Sequence, residues 1–121
     1  MTHKYDQSSG VWTFPDGKTA TGYSGNGRGK NNPSMQAVVA VGPIPRGKWQ
    51  IQPPYNSANV GPYALILDPL PGTDTKGRSA FRIHGDSIKN PGTASHGCII
   101  LPRVIRERIW ASGDRVLEVI E

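Results

Sequence analysis

Glycine and proline fall so often along this chain that no long regular element has room to form. The 15 glycines and 11 prolines make up more than a fifth of the 121 residues, a density that belongs to short strands joined by tight turns. Residues 11–14 and 18–23 flank Phe14-Pro15-Asp16-Gly17, where proline presets one turn dihedral and glycine supplies another, so a β-hairpin is predicted. Residues 24–34 are rich in glycine and asparagine and read as a surface loop able to border a site. Residues 36–41 read as a short apolar strand, 42–47 as a turn, and 48–52 as a half-buried strand that Pro53 and Pro54 end. Residues 63–67 and 80–83 are further strands, which puts His84 at a strand end. Beyond them Pro102 suits a first helical turn, Leu101, Ile105 and Ile109 recur at i, i+4 and i+8, and Gly113 can close the one helix expected. Arg103 and Glu107 can pair on its outer face. Residues 116–120 form a terminal strand with Leu117 and Val119 on one side. The length supports one core, so residues 1–121 are read as a single domain, mainly β, with one short helix.

Fourteen Lys and Arg against nine Asp and Glu give a net charge of +5, which favours an anionic partner such as nucleic acid, cell-wall polymer or a membrane surface. The basic residues, among them Lys4, Lys18, Arg28, Lys30, Arg46, Lys48, Lys76, Arg78, Lys89 and Arg103, are scattered and not interleaved with aromatic residues. That argues against nucleic acid and for a solvated surface at most of them. The opening Met1-Thr2-His3-Lys4-Tyr5-Asp6 lacks the apolar stretch of a secretory signal, and the apolar runs at 38–41 and 64–67 are too short for a bilayer. The expectation is a protein made in the cytoplasm without a signal peptide and without membrane insertion.

The single cysteine excludes an intrachain disulfide. Cys98 sits in Ser95-His96-Gly97-Cys98, and His84 lies fourteen residues upstream. A lone cysteine is often just a small buried hydrophobe. A thiolate is, however, the form that attacks a carbonyl, and a neighbouring imidazole raises its fraction near neutral pH. Gly97 permits a sharp bend and close substrate approach, and the amides of Gly97 and Cys98, or of their neighbours, could hold an oxyanion. His96 would share a face with Cys98 in extended chain, whereas His84 needs the fold to bring it across; the residues alone do not choose between them as base.

The spacing of Ile83-His84-Gly85 and Ser95-His96-Gly97-Cys98-Ile99 resembles the signature of L,D-transpeptidases with a YkuD-type catalytic domain. Ile44-Pro45-Arg46-Gly47-Lys48-Trp49-Gln50-Ile51 is similar to the family's Thr-Pro-x-Gly-x-aromatic strand lead-in, with Ile44 in place of threonine. The opening Tyr5-Asp6-Gln7-Ser8-Ser9-Gly10, with Gly22-Tyr23-Ser24-Gly25 and Gly42-Pro43-Ile44-Pro45, resembles a narrower branch, the type VI secretion L,D-transpeptidase-like effectors called Tlde. The resemblance implies a compact β-sandwich or barrel-like catalytic domain with the helix after the cysteine. It implies no cofactor and no metal. It makes Cys98 the nucleophile, His84 the general base, oriented by the Gly85 carbonyl, and His96 a supporting ring, with Ser95 bracing the loop. The gap from His84 to Ser95 is shorter than in many cell-wall transpeptidases, which trims the lid over the site. Ile100 stands where many relatives carry arginine or asparagine, so Arg103, Arg82 and Lys89 are the candidates to hold the substrate carboxylate.

The implied reaction is L,D-carboxypeptidase cleavage or L,D-transpeptidase exchange on peptidoglycan tetrapeptide stems. The implied partners are the stem peptide, a secretion apparatus and a cognate immunity protein, and the implied place of action is the periplasm of a target bacterium. Two other readings are weighed beside it. One is a zinc hydrolase using His84, His96 and Cys98, with Asp86 as a fourth ligand, although the paired spacing usual for zinc is missing. The other is a non-catalytic wall-binding module docked by its positive charge.

Overall fold

The computed structural model describes residues 1–121. Nine strands form one mixed sheet: β1 Thr2–Asp6, β2 Val11–Thr13, β3 Thr19–Thr21, β4 Tyr23–Ser24, β5 Gly47–Ser57, β6 Gly61–Pro69, β7 Arg82–His84, β8 Ile99–Ile100 and β9 Val116–Ile120. A single α-helix, α1, spans Arg103–Ala111. The spatial order is β3-β2-β1-β9-β5-β6-β7-β8-β4. Its two outer strands, β3 and β4, are consecutive in the chain and separated only by Gly22. The sheet must therefore curl until both edges meet on one segment, which gives the barrel-like form and leaves little open edge. Gly22 fits this junction because a β-carbon there would strike the Ile100 carbonyl.

Short strands suffice because their inward positions meet in one core. Tyr5, Trp12, Trp49, Leu65, Ile83, Ile99 and Leu117 are buried in the same cluster. The hairpin forms as expected: Phe14 donates to the Lys18 carbonyl at 2.8 Å, and Gly17 takes φ +90° at the turn. Pro102 precedes α1, and its carbonyl accepts from Ile105 and Arg106 at 3.1 Å. Leu101 and Ile109 are buried, Ile105 packs against the core, and Arg103 meets Glu107 at 3.3 Å on the outer face.

Three local expectations are corrected. Residues 36–41 form turns and no strand: amides of Val38, Val41 and Gly42 bond back to the carbonyls of Met35 and Val38, and Ala40 takes φ +63°. Local closure leaves no ladder groups to pair, and Val39 stays exposed. Pro53 and Pro54 do not end β5. Bonding on the β9 side ends where Ile51 N–H donates to the Arg115 carbonyl at 2.8 Å, so beyond Ile51 one edge is free and a proline facing that edge forfeits no ladder bond. A bulge between Ile51 and Pro54 absorbs the register change. Lastly, Arg78 is no solvated surface residue but is buried at 7 % exposure.

No helix is long and apolar enough to cross a membrane.

Candidate active site

Strands β7 and β8, beside the outer strand β4, put His84 and Cys98 on neighbouring segments. Strands β7 and β8 run parallel, pairing Ile83 with Ile99 and His84 with Ile100. One step back, this register sets Cys98 beside Arg82. Because side chains alternate, Cys98, Arg82 and His84 share the face opposite core residues Ile83 and Ile99. A diagonal of this kind separates β-carbons by about 7–8 Å, within reach of an imidazole and a thiol turned toward each other. Both line one cleft of about 360 Å³, along with His96, Arg78, Arg82, Phe81 and the exposed turn residue Val39.

His84 is buried, and its Nδ1 lies 2.8 Å from the Gly85 carbonyl. A carbonyl only accepts, so Nδ1 carries the proton and Nε2 keeps a free lone pair. Burial pulls the His84 pKa below 6.5. The Gly85 hydrogen bond opposes this, while the Arg106 and Arg82 charges add to it. Arg106, buried in α1, donates to the carbonyls of Leu101, Tyr63 and Pro62, and it packs against Gly85 where a β-carbon would sit 3.1 Å from Nη1. The helix thereby fixes the corner that aims His84.

The sulfur of Cys98 is 3.7 Å from the Ala80 carbonyl, to which the S–H donates. Burial pushes the Cys98 thiol up; the Arg82 backbone amide and the charges of Arg82 and Arg78 oppose it. With imidazole lowered and thiol raised, the resting pair is neutral, and charge separates only when proton transfer occurs.

Ser95 is fully buried and organises the approach to Cys98. Its Oγ accepts from Gly25 N–H at 2.9 Å and Gly97 N–H at 3.1 Å, and it donates to the Cys98 carbonyl at 2.6 Å. The Gly97 carbonyl accepts from Ser24 Oγ at 2.8 Å, and that same oxygen accepts from Ile44 N–H at 2.9 Å. Both backbone groups of Gly97 are thus committed, whereas the Cys98 amide, next along the chain, takes part in none of the loop and turn hydrogen bonds. His96 is exposed at the rim, with its carbonyl held by Arg78 at 3.2 Å.

The loop joining His84 to Ser95 is wound around Asp86. The Asp86 carboxylate accepts from Tyr23 OH at 2.7 Å, Ser87 N–H at 2.8 Å and Gly92 N–H at 3.0 Å, and Tyr23 in turn accepts from Ala94 N–H at 3.0 Å. Lys30 sits over the Tyr23 ring at 4.7 Å. Asp86 is therefore engaged as a loop anchor. No three His, Cys, Asp or Glu side chains are grouped to hold a metal ion.

Of the three basic residues considered for a carboxylate, only Arg82 lines the Cys98 cleft; Lys89 and Arg103 line an adjoining groove with Gly85 and Pro62. The sequence reading missed Arg78 and Arg106, because a buried arginine bonded to carbonyls looks in sequence like any exposed one.

Residues 18–119 match the family model described as the Tlde1 domain. The chain belongs to the Tlde1 domain family, the type VI secretion L,D-transpeptidase-like effectors. The match takes in the whole Cys98 cleft and leaves out β1, β2 and the chain's last two residues. Membership implies L,D-transpeptidase-like activity, a peptidoglycan target and delivery to target bacteria through a secretion apparatus. No curated protein matches the chain.

Proposed function

We propose that the whole chain is one catalytic domain that performs cysteine-dependent acyl transfer on the tetrapeptide stem of peptidoglycan. His84 Nε2 takes the Cys98 proton as the sulfur attacks the carbonyl of the diaminopimelate residue. The carbonyl oxygen becomes an oxyanion that the Cys98 amide is free to meet. Collapse of this intermediate breaks the peptide bond, and His84 returns the proton to the departing amine of D-alanine, leaving a thioester on Cys98. Water then releases the shortened stem as an L,D-carboxypeptidase product, or a D-amino acid replaces D-alanine by exchange. Both routes restore the thiol, so no oxidant, metal or cofactor enters the balance.

The observation that carries this reading is a neutral, oriented imidazole and the only cysteine opening into one cleft that no carboxylate lines. Arg82, free of any ion pair at the cleft wall, suits the substrate's carboxylate, and His96 closes the rim as a supporting ring. Such an activity acts in the periplasm of a rival cell and calls for a cognate immunity protein in the producer.

The test is incubation of purified protein with a synthetic stem tetrapeptide, read by mass. Loss of D-alanine, or its replacement by an added D-amino acid, is expected, and Cys98→Ala abolishes both. An intact tetrapeptide, or turnover unchanged by Cys98→Ala, removes the proposal.

A further inference from the structure

Arg78 carries a buried positive charge that no carboxylate answers: it is only 7 % exposed and takes part in none of the ion pairs. A buried cation without a counter-ion is costly unless its donors are satisfied. Here four of the five guanidinium protons go to backbone oxygens. Nη1 donates to the carbonyls of Gln36 and Pro43 at 2.6 and 2.7 Å, and Nη2 to those of Gly42 and His96 at 3.0 and 3.2 Å. The guanidinium lies 5.1 Å from the centre of the Phe81 ring, which packs edge-on against Trp49. A β-carbon on Gly97 would come within 2.5 Å of Nη2, so the cation rests directly against the backbone that leads into Cys98.

Two separate stretches of chain meet on this one group. The carbonyls of Gln36, Gly42 and Pro43 belong to the turn that carries Val39 and Ala40 into the cleft wall; the His96 carbonyl belongs to the loop that presents the sulfur. We propose that Arg78 is a positioning residue for Cys98: its guanidinium ties the Ser95–Cys98 corner to the 36–43 turn and supplies the counter-charge when the sulfur loses its proton. The inference rests on the reading of Cys98 as nucleophile.

The charged and titratable groups facing the sulfur are few. Arg78 and Arg82 come from the segment before His84, His84 from the end of β7, and His96 from the sulfur's own loop. Asp86 lies beyond His84 and is occupied by Tyr23, Ser87 and Gly92. Removing Arg78 takes away one of two permanent cations with no carboxylate in the cleft to rebalance it. Lysine would keep a charge there but lacks the planar fork that spans four carbonyls.

The test compares wild type, Arg78→Met and Arg78→Lys, each checked for folding by its melting curve. The readouts are the pH profile of Cys98 alkylation by iodoacetamide and the turnover of stem tetrapeptide. Arg78→Met is expected to raise the alkylation midpoint by about one pH unit, the order of effect of a nearby buried charge. Arg78→Lys is expected to keep the wild-type midpoint but to lose roughly tenfold or more in kcat with little change in KM, as misplacement of a reacting group does. A folded Arg78→Met protein with the wild-type midpoint overturns the proposal. If Arg78→Met does not fold, Arg78→Lys decides: wild-type kcat, or a midpoint raised by a full unit, overturns it. Absence of turnover in the wild type removes the proposed reaction but leaves the midpoint comparison standing, whereas an unchanged midpoint with turnover intact removes the role of Arg78 alone.

Discussion

Replacing Ser95 with alanine tests how the loop that presents Cys98 is held. The hydroxyl is fully buried and serves three backbone groups at once: the amides of Gly25 and Gly97 and the carbonyl of Cys98. The alanine methyl occupies nearly the same space, so packing is preserved and the loss isolates hydrogen bonding. A buried backbone group stripped of its partner costs about 1–3 kcal/mol, so three at the low end sum to about 3 kcal/mol. For a domain of this size each kcal/mol moves the melting temperature by roughly 3–5 °C, giving a fall of about 10–15 °C. Thermal unfolding followed by circular dichroism reads this directly, and iodoacetamide labelling of Cys98 below the transition reads the loop itself. The variant is expected to melt at that lower temperature and to label at an altered rate. A melting temperature within about 3 °C of wild type, equivalent to less than 1 kcal/mol, would refute the claim that Ser95 braces this corner.

Other consequences follow from neighbouring residues. Gly97→Ala forces a side chain onto a backbone with φ +131° and sets a methyl 2.5 Å from Arg78 Nη2 and 2.9 Å from Phe81 Cε1; a loss of about 2–4 kcal/mol in urea unfolding is expected, and an unchanged midpoint contradicts the packing described. His3 accepts from Trp12 Nε1 at 3.2 Å through Nδ1 and is therefore neutral, with its pKa lowered from 6.5 chiefly by burial. A lowered folded-state value means that its contribution is complete above 6.5 and is lost as pH falls from there through the folded pKa. Urea unfolding from pH 7.5 to 4.5 should show that decline in wild type and a shallower one in His3→Gln; equal slopes would dismiss the role. The lowered pKa of His84 keeps its imidazole neutral into mildly acidic solution, so with His84 as the proposed base the acid limb of kcat/KM on tetrapeptide is expected below pH 6.5. A limb centred above that value would contradict the assignment of His84.

The parts of the fold written in local chemistry were legible in the sequence. The hairpin at Pro15-Asp16-Gly17 and the helix after Pro102 each depend on residues a few positions apart, and both form where the pattern puts them. Strand β1 was not seen because its inward positions are His3 and Tyr5, with Gln7 just past its end, polar or semi-polar side chains that bury only because Trp12, β9 and Ile44 complete them. The apolar run at residues 36–41 misled for the opposite reason: valine favours strands, yet Gly42 and the turn carbonyls close the segment on itself. At the site, Cys98, His84 and His96 stood out by residue type and spacing. Arg78 and Arg106 did not, since what distinguishes them is the set of carbonyls that folding gathers around each guanidinium. Those carbonyls come from residues up to 44 positions away, a distance over which no local pattern reports.

The central claim is that Cys98 becomes acylated by the stem peptide. Mixing the protein with tetrapeptide, quenching in acid within the first turnovers and weighing the intact chain measures this most directly. The predicted result is a mass increase equal to the stem less D-alanine, mapped to the peptide containing Cys98 and absent from Cys98→Ala. An unmodified protein that nonetheless releases D-alanine, or an adduct on any other residue, would contradict it.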